Sequence, residues 1–89
     1  MSLRRTSRRD DNEQQIRKAL EAVGALVKPL QHPCDLIVRF GGRVWLLEVD
    51  NPENKYRKRD QEQLDFLALW RVPIVQTPMQ ALRAIGAVA

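Results

Sequence analysis

The segment from Asp35 to Val49 has the sequence DLIVRFGGRVWLLEV, the clearest local signal in the chain. Two runs rich in branched and aromatic residues flank Gly41-Gly42. This dipeptide suits the positive φ angles of a two-residue turn, so we predict an antiparallel hairpin. Counting outward from the turn, the expected pairs are Phe40 with Arg43, Val38 with Trp45, Leu36 with Leu47, and Asp35 with Glu48.

This register sets two carboxylates against each other at the open end of the hairpin. Opposed Cβ atoms are roughly 4.5–5.5 Å apart, a distance at which like charges destabilise the pair. The side-chain period of two adds Asp50 to the face of Glu48.

The acids could simply fray into solvent. However, Glu48 lies in the run WLLEV, which is apolar on both faces and typical of a central strand. An unpaired charge is costly there, which favours a cation site, and carboxylate oxygens suit Mg²⁺ or Mn²⁺. A register slip of one residue would break the pairing.

The segments around the hairpin predict an α/β domain with the element order αβββαβα. The strand, helix, strand succession after the hairpin implies a right-handed crossover, so the last strand should lie parallel to its predecessor in a mixed central sheet flanked by helices. We expect Leu64, Phe66, Leu67 and Trp70 on the buried side of the crossover helix. The predicted bounds are about 12–23 for the first helix, 25–30 for an edge strand, 60–71 for the crossover helix, 72–76 for the last strand and 77–85 for the last helix.

Two further polar residues share helical stripes with apolar ones. Glu13 lies on the stripe of Ile16, Leu20 and Val23, so an acid opens a buried face. Its spacing from Asp10 also fits a capping box, which would give it only a structural role. Gln63 presents the same choice, three residues after the capping candidate Asp60. Both alternatives stay open for both residues.

The basic residues are unevenly distributed. The chain has 15 Lys and Arg against 11 Asp and Glu, and the surplus of four equals the four arginines that precede the first acid. We expect a disordered basic arm at residues 1–9 and the folded domain at 10–89. Both the arm and the loop after the hairpin suit contacts with DNA phosphates, with a plain solvated charge run as the alternative. The candidate DNA-binding residues are Arg4, Arg5, Arg8, Arg9, Lys55, Arg57, Lys58 and Arg59.

Composition excludes several other classes of protein. No apolar run approaches the roughly 18 residues needed to cross a bilayer, and the N-terminus has no apolar signal-peptide core. Cys34 is the only cysteine, so no intramolecular disulfide can form, and a zinc site at His32 and Cys34 would need further ligands. We expect a cytoplasmic protein, of bacteria or of phage-infected cells, that has no membrane partner.

The motifs together resemble the PD-(D/E)XK nuclease superfamily, and most of all its small phage VRR-NUC and Holliday-junction-resolvase-like members. The resemblance covers about residues 9–86 and rests on the order and spacing of its motifs. It implies a restriction-endonuclease-like fold, metal binding by Asp35 and Glu48 with Glu13, and a supporting role for Gln63. Members are often homodimers, so a second copy is a candidate partner, with Trp45, Phe66 and Trp70 as candidate interface residues. The motif residues are Asn12-Glu13, Cys34-Asp35, Glu48-Val49-Asp50 and Gln63 followed by Phe66 and Trp70.

The chain departs from the superfamily pattern at two positions. Cys34 replaces a proline that mainly shapes the start of the strand. Asp50 replaces the lysine that positions the attacking water and stabilises charge on the phosphate, which reverses the charge at that position. Asp50 could act as an extra metal ligand, Lys55 could reach back from the loop, or the site could be inactive. The candidate catalytic residues are Asp35, Glu48, Asp50, Gln63 and Lys55, and the candidate metal ligands are Glu13, Asp35, Glu48 and Asp50.

Three functions follow as hypotheses. The first is a Mg²⁺- or Mn²⁺-dependent endodeoxyribonuclease acting on branched or junction DNA. The second is a catalytically impaired nuclease fold that binds DNA without cutting it. The third is a small structural or partner-binding domain in which the acids only stabilise the fold.

Overall fold

The structure is a computed structural model that describes the backbone of residues 7–53 and 58–89 and the side chains of residues 12–53 and 58–89. These residues form three helices and one mixed four-stranded sheet, so the predicted α/β class and element order are confirmed. The elements are α1 (Ser7–Ala22), β1 (Leu26–Pro29), β2 (Leu36–Phe40), β3 (Arg43–Val49), α2 (Gln61–Leu69), β4 (Ile74–Val75) and α3 (Pro78–Ala84).

The hairpin between β2 and β3 turns at Gly41-Gly42. Both glycines have positive φ angles, 62° and 76°, as a two-residue turn of this type requires. A Cβ atom at either position would meet nothing within 4 Å, so backbone conformation and not space calls for glycine. The ladder pairs Phe40 with Arg43, Val38 with Trp45 and Leu36 with Leu47, which confirms the predicted register over the length of β2.

The sheet order is β1-β2-β3-β4, which makes β3 a central strand. β1, β2 and β3 are antiparallel, and β4 returns parallel to β3 through α2, as predicted for a crossover. β4 pairs with the end of β3 at Glu48 and Val49, so this end has hydrogen-bonded neighbours on both edges. The side chain of Glu48, at this end of the strand, is fully buried.

Apolar side chains cover both faces of the sheet. Leu36, Val38, Leu47 and Val49 join residues of α1 and α3 in the main core on one face. Leu46 packs on the other face against a smaller cluster of Cys34, Leu67 and Val72, which α2 closes. Because side chains alternate along β3, Glu48 lies on the same face as Leu46 and towards α2. The buried residues of the main core are Ile16, Leu20, Ala25, Leu36, Val38, Leu47, Val49, Val75, Ala81 and Ile85.

The start of α1 differs from the prediction. The helix begins at Ser7 and not near Asn12, so residues 7–9 of the predicted disordered arm are helical. Arginine favours helices, and acids in the first turns stabilise the positive end of the helix dipole. Asp10 becomes the fourth residue of the helix and cannot be its N-cap, so the proposed capping box with Glu13 is wrong. At the C-terminal end of the helix, Val23 is 39% exposed, so the predicted buried stripe does not extend to this residue.

The two later helices begin as predicted. Asp60 is the N-cap of α2 and forms a capping box with Gln63, while Thr77 caps α3 with Pro78 at its first position. The buried side of α2 is narrower than predicted. Leu67 is buried and Phe66 half-buried, but Leu64 is 45% exposed and Trp70 is 68% exposed. The prediction of burial is therefore wrong for Leu64 and Trp70.

The turn gives a stability test. We expect Gly41→Val to destabilise the domain by about 1–2 kcal/mol, because a β-branched residue is strained at a left-handed φ. Asn tolerates this conformation, so Gly41→Asn is the matched control and should lose clearly less. Urea unfolding midpoints measure both variants. Equal losses would show that the turn does not depend on the positive φ angle.

Candidate functional site

The candidate site lies where the central strand β3 ends. Glu48 is fully buried, and Asp50 follows two residues later with its side chain 34% exposed. Asp35, 2% exposed, directly precedes β2, the neighbouring strand. Three of the four predicted metal-ligating acids therefore come from adjacent strand ends in one part of the sheet.

Asp35 does not occupy the ladder position predicted for it. The ladder ends at the pair Leu36 and Leu47, so the expected last pair between Asp35 and Glu48 is not formed. Instead, the Asp35 N–H donates to the Leu47 carbonyl at 3.2 Å, and its carboxylate Oδ2 accepts from the Val49 N–H at 2.8 Å. The side chain thus takes over a hydrogen bond that a regular ladder would give to a backbone carbonyl, and it joins the two strand ends.

Glu48 forms an ion pair with Arg59. The Arg59 Nε lies 2.5 Å from Glu48 Oε2, and the arginine side chain is 18% exposed. Burial of a carboxylate is costly by several kcal/mol unless an opposite charge compensates it. Arg59 provides this compensation, since its guanidinium stays protonated at all ordinary pH values.

The same guanidinium also approaches Asp50. Arg59 Nη2 lies 3.5 Å from Asp50 Oδ1. One cation therefore contacts both Glu48, in β3, and Asp50, the residue directly after β3. Burial would lower the pKa of Arg59, but the hydrogen bond and charge of Glu48, together with the charges of Asp50 and Asp35, raise it. All three acids therefore act on Arg59 electrostatically.

Asp50 is held by contacts with two other elements. Its carboxylate Oδ2 accepts from Gln76 Nε2 at 3.2 Å, and its carbonyl oxygen accepts from Asn12 Nδ2 at 3.2 Å. The backbone N–H of Asp50 donates to the Val75 carbonyl. Asn12 brings the start of α1 to this end of β3, and its neighbour Glu13 is half-buried there.

The acids do not form a compact three-ligand cluster in this structure. Over residues 12–53 and 58–89, the group of three possible metal ligands whose atoms lie within 4.8 Å of one another is His32, Asp60 and Glu62. All three are exposed, and Asp60 already caps α2. No three of the predicted ligands Glu13, Asp35, Glu48 and Asp50 lie within this distance of one another. The cation beside Glu48 and Asp50 is Arg59.

Gln63 has a structural role in this arrangement. Its backbone N–H donates to Asp60 Oδ1 at 2.8 Å, and its side-chain Oε1 accepts from the Asp60 N–H at 3.4 Å. These two bonds form a capping box, one of the two alternatives predicted for Gln63. The capping box fixes the main chain at Asp60, the residue next to Arg59. Gln63 therefore supports the position of Arg59 through the helix cap.

The predicted DNA-binding residues are only partly described. Arg59 is engaged with Glu48, while Lys58 beside it is exposed. Arg8 and Arg9 lie in α1, but their side chains fall outside the described residues. Arg4, Arg5, Lys55 and Arg57 also lie outside the described residues, so the phosphate contacts and the role of Lys55 stay predictions.

Sequence reasoning missed the contact between Arg59 and Glu48. The prediction considered Lys55 as the cation that could reach back, whereas the side chain described beside the acids is Arg59. A signal for it was present, because a buried acid in a central strand requires a cation, and Arg59 directly precedes the helix cap Asp60. Four basic residues lie within five positions, however, and local sequence does not distinguish among them.

The aromatic residues suggested for a dimer interface differ in exposure. Trp45 packs against the main core and donates from Nε1 to the Phe40 carbonyl at 3.4 Å. Phe66 packs against the smaller cluster and stacks on Trp70 with ring centroids 5.6 Å apart. Trp70 is 68% exposed and follows Leu69, which is 80% exposed. A homodimer stays a prediction.

Cys34 lies beside the acids and is 1% exposed. Burial raises the pKa of the Cys34 thiol, and the negative charges of Glu48 and Asp35 raise it further. The cysteine of the chain is therefore a buried thiol whose pKa is raised.

A comparison of the chain with known protein families, with curated proteins and with solved structures finds no match in any of the three. Within the described residues, no helix has the length and apolar character needed to cross a membrane.

Loss of the buried ion pair should be measurable as lost stability. We expect Arg59→Ala to lower the free energy of unfolding by roughly 3–5 kcal/mol, because it leaves Glu48 as an uncompensated buried charge. Lys58→Ala removes the same charge from an exposed neighbour and should change stability by less than about 0.5 kcal/mol. Urea denaturation compares the two. Similar stability of both variants would contradict a buried pair.

The single thiol gives an independent test of burial at the site. We expect iodoacetamide to alkylate Cys34 much more slowly at pH 8 in the folded protein than in urea, because the raised pKa lowers the thiolate fraction and burial blocks access. The variant Cys34→Ser with Leu69→Cys carries one exposed thiol and serves as the fast-reacting control. Equal rates for the two folded proteins would place Cys34 at the surface.

Proposed function

We propose that this chain is a divalent-metal-dependent endonuclease that hydrolyses DNA phosphodiester bonds, with Asp35, Glu48 and Asp50 as its acids. The observation that carries the proposal is the burial of Asp35 and Glu48 where β2 begins and β3 ends, with Arg59 paired to Glu48. Well-packed apolar residues of similar volume often stabilise a protein as well as a buried ion pair or better. Retention of charged groups at such a position is therefore better explained by chemistry than by stability.

The donor set fits the metal ions that the proposal requires. Carboxylate oxygens are hard ligands and suit Mg²⁺ or Mn²⁺. Asp35, Glu48 and Asp50 would hold the ion, with Glu13 from α1 as a further candidate. A bound divalent cation stabilises charge on phosphate oxygens and lowers the pKa of a coordinated water.

Arg59 would supply the positive charge near the phosphate that Asp50 cannot supply. A guanidinium binds phosphate oxygens in a bidentate manner, and a positive charge near the phosphate stabilises the negative charge that develops during hydrolysis. Arg59 already lies beside Glu48 and Asp50, whereas Asp50 itself carries the opposite charge to the superfamily lysine. Lys55, Arg57, Lys58 and the arginines of residues 4–9 are proposed to bind DNA phosphates further from the reaction.

A second candidate is a nuclease-like domain that binds DNA without cutting it. Two contacts favour this function: Glu48 Oε2 is bonded to Arg59, and Asp35 Oδ2 accepts from the Val49 N–H. If these contacts persist, Glu48 only balances the charge of Arg59, and Asp35 only joins the ends of β2 and β3. The basic residues would then bind the DNA phosphates without any cleavage.

A cleavage assay separates the two candidates. Four-way-junction and linear duplex DNA are incubated with the protein and Mg²⁺ or Mn²⁺, with EDTA as the blank. We expect metal-dependent cutting, and we expect Glu48→Gln to slow it by about a hundredfold or more, as losses of charge-stabilising groups typically do. Glu62→Gln removes an exposed acid of α2 and should keep full activity.

Circular dichroism melting accompanies the assay, so that unfolding of Glu48→Gln is distinguished from loss of chemistry. Salt-dependent DNA binding by the unaltered protein, with no cleavage under any metal condition, would establish the second candidate instead. Equal cleavage by the unaltered protein and Glu48→Gln would reject the proposed site.

A further inference from the structure

We propose that Arg59 is a displaceable internal counter-ion. In the free protein it is paired with Glu48 and Asp50. When DNA binds, a phosphate draws Arg59 away, so that a divalent cation can bind these two acids. The inference rests on the proposed function and adds a mode of regulation to it. Metal and DNA would then bind with positive coupling, and the free protein would have weak affinity for metal.

The geometry makes Arg59 and a metal ion competitors. Arg59 Nε lies 2.5 Å from Glu48 Oε2, and Nη2 of the same group lies 3.5 Å from Asp50 Oδ1. A cation bound by these two carboxylates would lie within a few ångströms of the guanidinium charge. Like charges at such distances repel strongly in a poorly hydrated site, so the ion and the guanidinium cannot both occupy it in the present arrangement.

Part of the Arg59 side chain reaches solvent. The side chain is 18% exposed, whereas the Glu48 side chain is fully buried and Arg59 Nη2 is buried as well. The main chain beside it is held by the capping box of Asp60 and Gln63. In this proposal the Arg59 side chain changes its partner while the capped main chain beside it stays in place.

A DNA phosphate offers Arg59 an equivalent partner. The planar guanidinium donates two parallel hydrogen bonds to phosphate as well as to carboxylate. Exposed Lys58, next in the chain, adds to the positive charge that would attract the DNA backbone. Exchange of Glu48 for a phosphate keeps the arginine paired and releases the carboxylate at the moment when substrate is present.

Mn²⁺ titration followed by electron paramagnetic resonance tests the competition without any cleavage. We expect Arg59→Gln to bind Mn²⁺ about tenfold more tightly than the unaltered protein, within the usual range of coupling between sites. Arg43→Gln loses the same charge from an exposed residue at the turn end of β3 and should bind within about twofold of the unaltered protein. A phosphorothioate duplex that resists cleavage should tighten Mn²⁺ binding by the unaltered protein, and should tighten it much less in Arg59→Gln.

A second measurement uses the unaltered protein, in case Arg59→Gln unfolds. In nitrogen-15 spectra, the Arg59 Nε–H should be protected from solvent exchange in the free protein. Saturating Mg²⁺ together with the duplex should shift the Nε–H resonance, because a phosphate replaces Glu48 as the partner of the guanidinium. An unchanged, protected Nε–H in the metal-loaded complex would overturn the inference.

The outcomes keep the inference and the proposed function apart. Equal Mn²⁺ affinity of Arg59→Gln, Arg43→Gln and the unaltered protein would reject the counter-ion role while leaving a metal site intact. Weaker binding by Arg59→Gln would also reject it and make Arg59 a support of the site. If no variant binds Mn²⁺, with or without the duplex, the metal-dependent function itself fails.

Discussion

Burial of the Glu48 carboxylate in the central strand requires a positive charge beside it, and much of the site is arranged around that requirement. β3 is hydrogen-bonded on both edges at this point, and apolar clusters cover both faces of the sheet. Water is therefore excluded from Glu48, and the charge is compensated by Arg59 at 2.5 Å. The ion pair connects the strand that carries the acids to the helix that crosses over it.

The crossover explains how a residue eleven positions later reaches Glu48. α2 must begin near the end of β3 and return along the sheet before β4 can pair parallel to β3. The capping box of Asp60 and Gln63 sets where the helix begins, and Arg59 precedes the cap by one residue. The helix cap thus places Arg59 directly before α2, and the packing of the crossover over β3 brings its side chain beside the acids.

The charge balance of the site differs from the one that the sequence motifs predict. Asp50 brings a third carboxylate where a lysine is expected, and Arg59 brings a cation from another element. The positive charge is therefore present at the site but attached to the chain at a different position. A cation on a long side chain at the start of a helix can change partners, whereas a lysine within the strand would be held beside the acids by the backbone.

Local rules acting over a few residues were enough to determine much of the fold from the sequence: the Gly41-Gly42 turn, the register as far as Leu36, the caps Asp60 and Thr77, and the parallel return of β4. The candidate acids were found in the same way, by counting from the turn. Contacts between distant segments were decided only by the tertiary structure. Asp35 leaves the ladder because its carboxylate binds the Val49 N–H, and the choice of Arg59 among neighbouring cations depends on how α2 packs over β3. Such contacts depend on where whole elements lie, which no pattern of neighbouring residues specifies.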